Sequence, residues 1–137
     1  SYLYIDQECS VLDPGLTVFE QTERFNASHL AEHELKSILN RCLFPYETWD
    51  KPCFCLSGGE KIRLLFCCLM IGNNAPDVFI LDEPTNNLDI QSVEIITAAI
   101  KSYRGTVLLI SHDHYFVKEI KINRSIKLFD TGSVIKI

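Results

Sequence analysis

Two carboxylates stand side by side at Asp82 and Glu83, directly after the uninterrupted apolar run Val78-Phe79-Ile80-Leu81. A run that is uniformly apolar rather than alternating reads as a parallel-sheet strand buried on both faces. Parallel strands deliver their carboxyl ends to the crevice where α/β proteins bind ligands. Adjacent acids at that edge can divide two tasks: Asp82 holding hydrated Mg²⁺, and Glu83 polarising an attacking water. Ordinary solvated acids at a strand end are the plainer alternative. A second group is Leu56-Ser57-Gly58-Gly59-Glu60. Ser57 and Glu60 have the spacing of a capping box, which starts a helix. The two glycines leave backbone N–H groups bare at its positive end, a seat for a phosphate, although simple capping uses the same residues. A third group is Leu108-Leu109-Ile110-Ser111 leading to His112. A strand-end imidazole can donate a hydrogen bond to a phosphate oxygen and help place a water, though many such histidines are structural.

The elements that must position these groups alternate along the chain. Tyr2–Ile5 reads as a strand ending at Asp6-Gln7, Pro14-Gly15 as a turn, and Thr17–Arg24 as a short helix. Leu30, Leu35, Ile38, Leu39 and Cys42 form a helical stripe that predicts a helix over His29–Leu43. Phe44–Cys55, with Pro45 and Pro52, is predicted as loop. Ser57–Met70 is predicted as helix, broken by Asn73-Asn74-Ala75-Pro76. Ile90–Tyr103 is predicted as helix, Thr106–Ser111 as a second buried strand and His114–Ile120 as a short helix. A terminal hairpin is expected from Ile126–Phe129 and Val134–Ile137. This alternation argues for α/β layering.

Composition narrows the function. A net charge of −5 gives no electrostatic ground for direct nucleic-acid binding. No apolar run approaches the roughly 18–20 residues that span a bilayer. The spacings Cys53-x-Cys55 and Cys67-Cys68 do not match a zinc knuckle, so the six cysteines read as small buried hydrophobes and reduced thiols of a cytoplasmic protein. His29 and His33, four apart on the expected helix, lack the companion glutamate and third ligand of a metal site. None of the six glycines is followed by lysine, so the chain holds no G-x-x-x-x-G-K-[ST] phosphate loop. It opens without methionine in what reads as a strand under way, and a fragment is the expectation.

In combination these residues resemble the later part of an ATP-binding-cassette nucleotide-binding domain. Leu56–Glu60 is similar to the family's signature motif, Phe79–Glu83 to the Walker B strand with its following glutamate, and Asn86–Asp89 to the D-loop. His112 matches the switch histidine, and Gln7 falls where the Q-loop glutamine stands. The wording Leu81-Asp82-Glu83-Pro84-Thr85-Asn86-Asn87-Leu88-Asp89, with Ser111-His112-Asp113-His114-Tyr115-Phe116, is closest to the ABC-F subfamily. Asn87 stands where that subfamily often has histidine. Gln7 and Leu56 are 49 positions apart, leaving no room for a long inserted arm, which resembles the second of two ABC-F cassettes.

The resemblance implies a partial P-loop NTPase-type fold: a parallel sheet with helices, including the helical signature region, but with the phosphate-loop strand and helix missing. Residues 1–137 would be the C-terminal part of one such domain, with about 8–56 as its helical subdomain. Losing that strand and helix is expected to bare apolar surface around Val78–Leu81 or Thr106–Ile110. The implied cofactors are ATP and Mg²⁺, and the implied partner is a second cassette, in the same molecule or in a dimer. Ser57, Gly58, Gly59 and Glu60 would contact the ATP held by that partner. Glu83 would be general base, Asp82 would hold Mg²⁺ through water with Gln7 sensing it, His112 would touch the γ-phosphate, and Asn86 and Asp89 would link the two sites. The resemblance makes the intact parent an ATPase and this chain alone inactive; ribosome association follows from the subfamily wording only. The cassette subunit of a membrane transporter would share every motif and stays open as the alternative. A chromosome-type ATPase is disfavoured because no sustained heptads precede Leu56, and retention of both Asp82 and Glu83 argues against a non-catalytic module.

Overall fold

A computed structural model describes residues 1–6, 9–72, 76–128 and 134–136. Among them, β1 (Tyr2–Ile5), β2 (Val78–Asp82) and β3 (Thr106–Ile110) form a parallel sheet in the order β1-β2-β3. Ile5 lies opposite Leu81, and Asp82 opposite Ile110, so all three strands end at one edge. The segment between β1 and β2 carries α1 (Val18–Phe25), α2 (Glu32–Arg41) and α3 (Gly58–Ile71). Helix α4 (Ile90–Ser102) joins β2 to β3, and α5 (His114–Glu119) follows. β4 (Ile126–Leu128) and β5 (Val134–Lys136) pair antiparallel as the expected hairpin, with Phe129 and Ile137 outside the described residues.

The helix starts follow side-chain chemistry. Thr17 and Glu20 cap α1 reciprocally, and Ser57 and Glu60 do the same for α3, as their spacing predicts. The expected helix over His29–Leu43 is shorter. Asn26 clamps Leu30 through both its amide atoms, at 2.8 and 2.9 Å, and His29 lies in the left-handed region at φ 53°. The chain therefore enters α2 only at Glu32, and His29 is not on the helix that carries His33. The stretch predicted as loop contains two single 3₁₀ turns, Tyr46–Thr48 and Cys53–Cys55, each preceded by an extended proline. Trp49 donates its indole N–H to the Phe44 carbonyl at 2.8 Å, fixing this segment to the core.

The strands differ from the expectation of burial on both faces. Phe79 and Leu81 are buried, and the Phe79 ring meets Phe66 of α3 and Tyr103 after α4, with ring centres 6.4 and 4.3 Å apart. The register puts Tyr2, Tyr4, Ile80, Leu108, Asp82 and Ile110 on the other face. There Tyr2 is 74% exposed, Leu108 50% and Ile110 49%. The helices α3 and α4 cover only the Phe79 side, so the uniform apolar wording is satisfied by one packed face and one open apolar face. Leu108 and Ile110 fall within the stretch where bare apolar surface is expected.

Five of the six cysteines are buried, and none forms a disulfide. Burial pushes the Cys53 thiol up to about 11 and raises Cys68 as well, so both pack as protonated, weakly polar groups. The asymmetry of the sheet sets a stability test. Leu81→Ala is expected to cost about 2–5 kcal/mol, whereas Leu108→Ala costs about 1 kcal/mol. Urea unfolding of both variants measures the difference, and equal losses would mean that the open face is packed in solution.

Candidate functional site

Strand ends and helix starts gather the predicted residues into two clusters. The first lies at the carboxyl edge of the sheet. Glu83 follows β2 with φ 47°, a left-handed conformation that non-glycine residues adopt at a cost of order 1 kcal/mol. Its backbone N–H still donates to the Ile110 carbonyl at 2.8 Å, so the kink redirects the side chain without breaking contact with β3. The carboxylate is turned toward His112: Oε2 accepts from the His112 backbone N–H at 3.3 Å, and Oε1 lies 3.5 Å from Nε2. The Glu83 side chain is 20% exposed and that of His112 is 98% exposed. A mostly shielded acid thus faces an imidazole open to anything arriving at the edge.

Asp82 belongs to the open face of the sheet and accepts from the Tyr4 hydroxyl at 3.1 Å. The hydrogen bond to this carboxylate holds the Tyr4 phenol above its usual range. After Glu83 the chain turns tightly: Asn86 N–H donates to the Glu83 carbonyl at 3.1 Å, and Asn87 takes a left-handed φ of 59°. Thr85 reaches across to Asp113 at 3.2 Å, and Asp113 caps α5 by accepting from Phe116 N–H at 3.0 Å. This contact ties the turn after β2 to the helix after His112.

The second cluster is the start of α3. Ser57 Oγ accepts from Glu60 N–H at 3.2 Å, and Glu60 Oε2 accepts from Ser57 N–H at 2.8 Å. Lys51 adds an ion pair to the same carboxylate at 3.4 Å. Burial alone would raise the Glu60 carboxyl; the Ser57 N–H and the Lys51 ammonium outweigh it, and the net shift is downward. The Glu60 carboxylate is therefore engaged within the cap. The Gly58 and Gly59 amides have no carbonyl four residues back inside the helix. A side chain at Gly58 would meet nothing within 4 Å, whereas one at Gly59 would come within 2.9 Å of Leu88. One glycine faces open space, and the other lies against the tip of the Leu88 side chain.

Asp89 caps α4, with Oδ1 accepting from Ser92 N–H at 2.8 Å and Oδ2 from the Ser92 hydroxyl at 3.1 Å. The Ser92 N–H, more than any other group, holds its carboxyl below the usual range. Gln7 lies outside the described residues. The edge group Asp82, Glu83 and His112 is thus brought to one edge by the sheet, while Gly59 at the start of α3 lies beside Leu88 of the turn that leads to Asp89. No hydrogen bond or ion pair joins the two groups among the described residues.

Comparison with known proteins decides what this architecture is. The sequence pattern of the family described as ABC transporter matches residues 1–86. This chain belongs to that family. A relative from Arabidopsis thaliana, ABC transporter F family member 5, is 43% identical over 128 residues, which is 93% of this chain and 18% of the relative. Two solved structures share the fold. One is the complex of archaeal ribosomal stalk protein aP1 with the archaeal ribosome recycling factor aABCE1 (TM-score 0.68, 23% identity, 92% of this chain and 24% of the other). The second is the ATP-binding cassette MJ0796 as a dimer in a post-hydrolysis state bound to ADP and Pi (TM-score 0.61, 21% identity, 87% and 55%). The chain spans between 14 and 19% of the length of three curated relatives that it matches.

Against the ABC pattern, sequence reasoning missed Tyr4, the Thr85–Asp113 contact and Arg63. Only the parallel register, which puts Tyr4 opposite Ile80, brings the phenol near Asp82. A basic residue directly before the uninterrupted apolar run Leu64–Ile71 was the legible signal for Arg63.

Two measurements follow. Because the folded Glu60 carboxyl titrates below its usual value near 4.3, the cap is complete above that value and is lost as pH falls through the lower folded one. Glu60→Gln is expected to flatten the dependence of stability on pH below about 4.5, read from urea unfolding at stepped pH. In the glycine pair, Gly58→Ala should raise Tm, and Gly59→Ala should raise it less or lower it because the Leu88 side chain must shift, as followed by circular dichroism. Equal effects would contradict the different surroundings of the two positions.

Proposed function

We propose that this chain is the C-terminal part of one ABC-F-type cassette, residues 8–56 being its helical subdomain, and that the complete protein hydrolyses ATP between two cassettes arranged head to tail. The observation that carries this reading is the Glu83–His112 pair at the sheet edge, with its partly shielded carboxylate and exposed imidazole. The separate, glycine-opened start of α3 supports it further, since one chain then holds two halves of different sites. The 43% identity to an F family member favours this reading over a membrane transporter's cassette. No helix among the described residues is long and apolar enough to cross a membrane.

The residues fit Mg²⁺ and ATP. Among the described residues no group of three ligands could hold a metal alone. Mg²⁺ keeps waters and phosphate oxygens and needs only one or two carboxylates, and Asp82 would supply one with hard oxygen atoms. When bound, Mg-ATP supplies the γ-phosphate and a cation that neutralises its charge. Within this reading Asp82 orients metal-bound water, and Gln7 reads the same shell. Glu83 accepts the proton of the attacking water at a carboxylate oxygen. His112 donates from its imidazole to a γ-phosphate oxygen. Ser57 presents its hydroxyl, and Gly58 and Gly59 their amides, to the γ-phosphate of the partner cassette. Asn86 and Asp89, both exposed, reach toward the opposite site. Catalysis of this kind is mostly positioning and charge stabilisation. Without a phosphate loop among its 137 residues, the chain alone neither binds ATP tightly nor hydrolyses it. A ribosomal partner is the proposed target, on the ground of the ABC-F wording of the sequence alone.

The test uses the complete protein that carries these residues. Glu83→Gln retains the size of the side chain but cannot accept a proton at neutral pH, so turnover falls about 10²–10⁴-fold while ATP stays bound. Asp82→Asn loosens the cation and reduces nucleotide retention itself. ATPase rate and retention of labelled nucleotide after rapid gel filtration, measured together, separate the two outcomes. Parental turnover by Glu83→Gln would remove Glu83 from its role.

A further inference from the structure

A charged group inside α3 has no part in the site as described so far. Arg63 is 8% exposed, within a helix whose neighbours Ile62, Leu64, Leu65 and Phe66 are all buried. Its guanidinium lies over the Phe44 ring, 5.0 Å from the centroid. Nη2 points to the Leu43 carbonyl at 3.5 Å, where the chain leaves α2 with φ 62°. Nη1 donates to the Ser92 hydroxyl at 2.8 Å, and Nε finds no partner among the described residues. Ser92 is 0% exposed. Its hydroxyl accepts from Arg63 and donates to Asp89 Oδ2, so the one proton it carries is committed toward the carboxylate. The result is a directed chain, guanidinium to hydroxyl to carboxylate, in which the charges at both ends polarise the bonds between them.

We propose that Arg63 and Ser92 are positioning residues that lock the turn 86–89 to helix α3, so that Asp89 and the phosphate-facing start of α3 move as one body. A side-chain contact lies beside this chain: the tip of Leu88, in the turn before Asp89, sits 2.9 Å from where a Cβ at Gly59 would stand, so the first turn of α3 and that turn are neighbours. The polar chain and the Leu88 side chain engage the same two elements about one helical turn apart. Under the proposed function, on which this inference rests, both elements address ATP sites shared with a partner cassette. A rigid tie then passes engagement of a γ-phosphate at Ser57 and Gly58 to Asp89 without any rearrangement of the core. A buried arginine serving packing alone would need neither a hydroxyl relay nor an exposed carboxylate at its far end.

The test again uses the complete protein. Ser92→Ala removes the relay atom and leaves both charges in place. It is expected to lower kcat for ATP roughly tenfold, with KM within about twofold, because closure rather than initial nucleotide binding is impaired. Amide hydrogen exchange is expected to quicken in both 57–61 and 86–91, although residue 92 belongs to neither segment. Ser92→Thr, which restores a hydroxyl, should return both readouts to within about twofold of the parent. Arg63→Lys keeps the charge but not the two-pronged grip; it gives a second reading of the same exchange pattern should Ser92→Ala fold poorly. Faster exchange confined to one segment, or no recovery with threonine, would overturn the tie. A parent protein that hydrolyses no ATP would overturn the proposed function instead, and the exchange pattern would still decide the tie.

Discussion

Hydrogen bonding of β2 on both sides is the constraint from which the rest follows. Val78–Asp82 pairs in parallel with Tyr2–Ile5 and with Thr106–Ile110, and the register leaves the three strands ending together. Parallel pairing requires crossovers, and these crossovers are the helices that carry the remaining candidate residues. The β1–β2 crossover contains α3 with its capped glycine start, and the β2–β3 crossover contains the turn 86–89 and α4. Glu83 can kink to φ 47° because its N–H remains bonded to Ile110; the sheet bears the strain, and the carboxylate gains its approach to His112.

The two faces of the sheet divide the labour. On the covered side Phe79 and Leu81 join a core with Leu64, Leu65, Ile96 and Phe116, which makes the strand ends rigid. On the open side Asp82 reaches Tyr4, and Leu108 and Ile110 remain half exposed. An acid on a bare apolar face has few competitors for its lone pairs, so what arrives there meets a carboxylate held by one phenol. Under the proposed reading this is where a hydrated cation belongs, since such a cation needs room for its waters as well as a ligand.

Much of the fold was legible. Uniform apolar runs revealed β2 and β3, and Ser57-x-x-Glu60 revealed the start of α3 to within one residue. What remained hidden depended on contacts between distant positions or on single backbone torsions. His29–Leu43 has a helical stripe, yet the Asn26 side chain satisfies both Leu30 backbone groups and delays the helix. Burial of both sheet faces was a reasonable reading of wording alone, because an apolar run does not record which of its faces is covered. At the candidate site, residue types marked Asp82, Glu83 and His112, but the positive φ of Glu83 and the proximity of Tyr4 to Asp82 left no local trace. Arg63 was visible only as a basic residue directly before an apolar run, and its partner Ser92 lies 29 positions away.

The different surroundings of the two glycines at the start of α3 give the clearest physical argument for a partner. Beside Gly59 the tip of the Leu88 side chain of the same chain occupies the space. Gly58 meets nothing of its own chain, so the fold gives no reason for its lack of a side chain. Glycine costs backbone entropy in a helix, about 1 kcal/mol relative to alanine, and is a sensible residue where something outside must approach the backbone closely. The amides there have no intrahelical acceptors, the Ser57 hydroxyl is free to donate outward, and the Glu60 carboxylate is held back by its cap and Lys51. Such a surface favours an anion, since the Glu60 charge is offset by its cap and Lys51, and among the described residues the carboxylates of the edge group make no hydrogen bond to it. Under the proposed function, the anionic group that complements this surface is a nucleotide held by a second cassette.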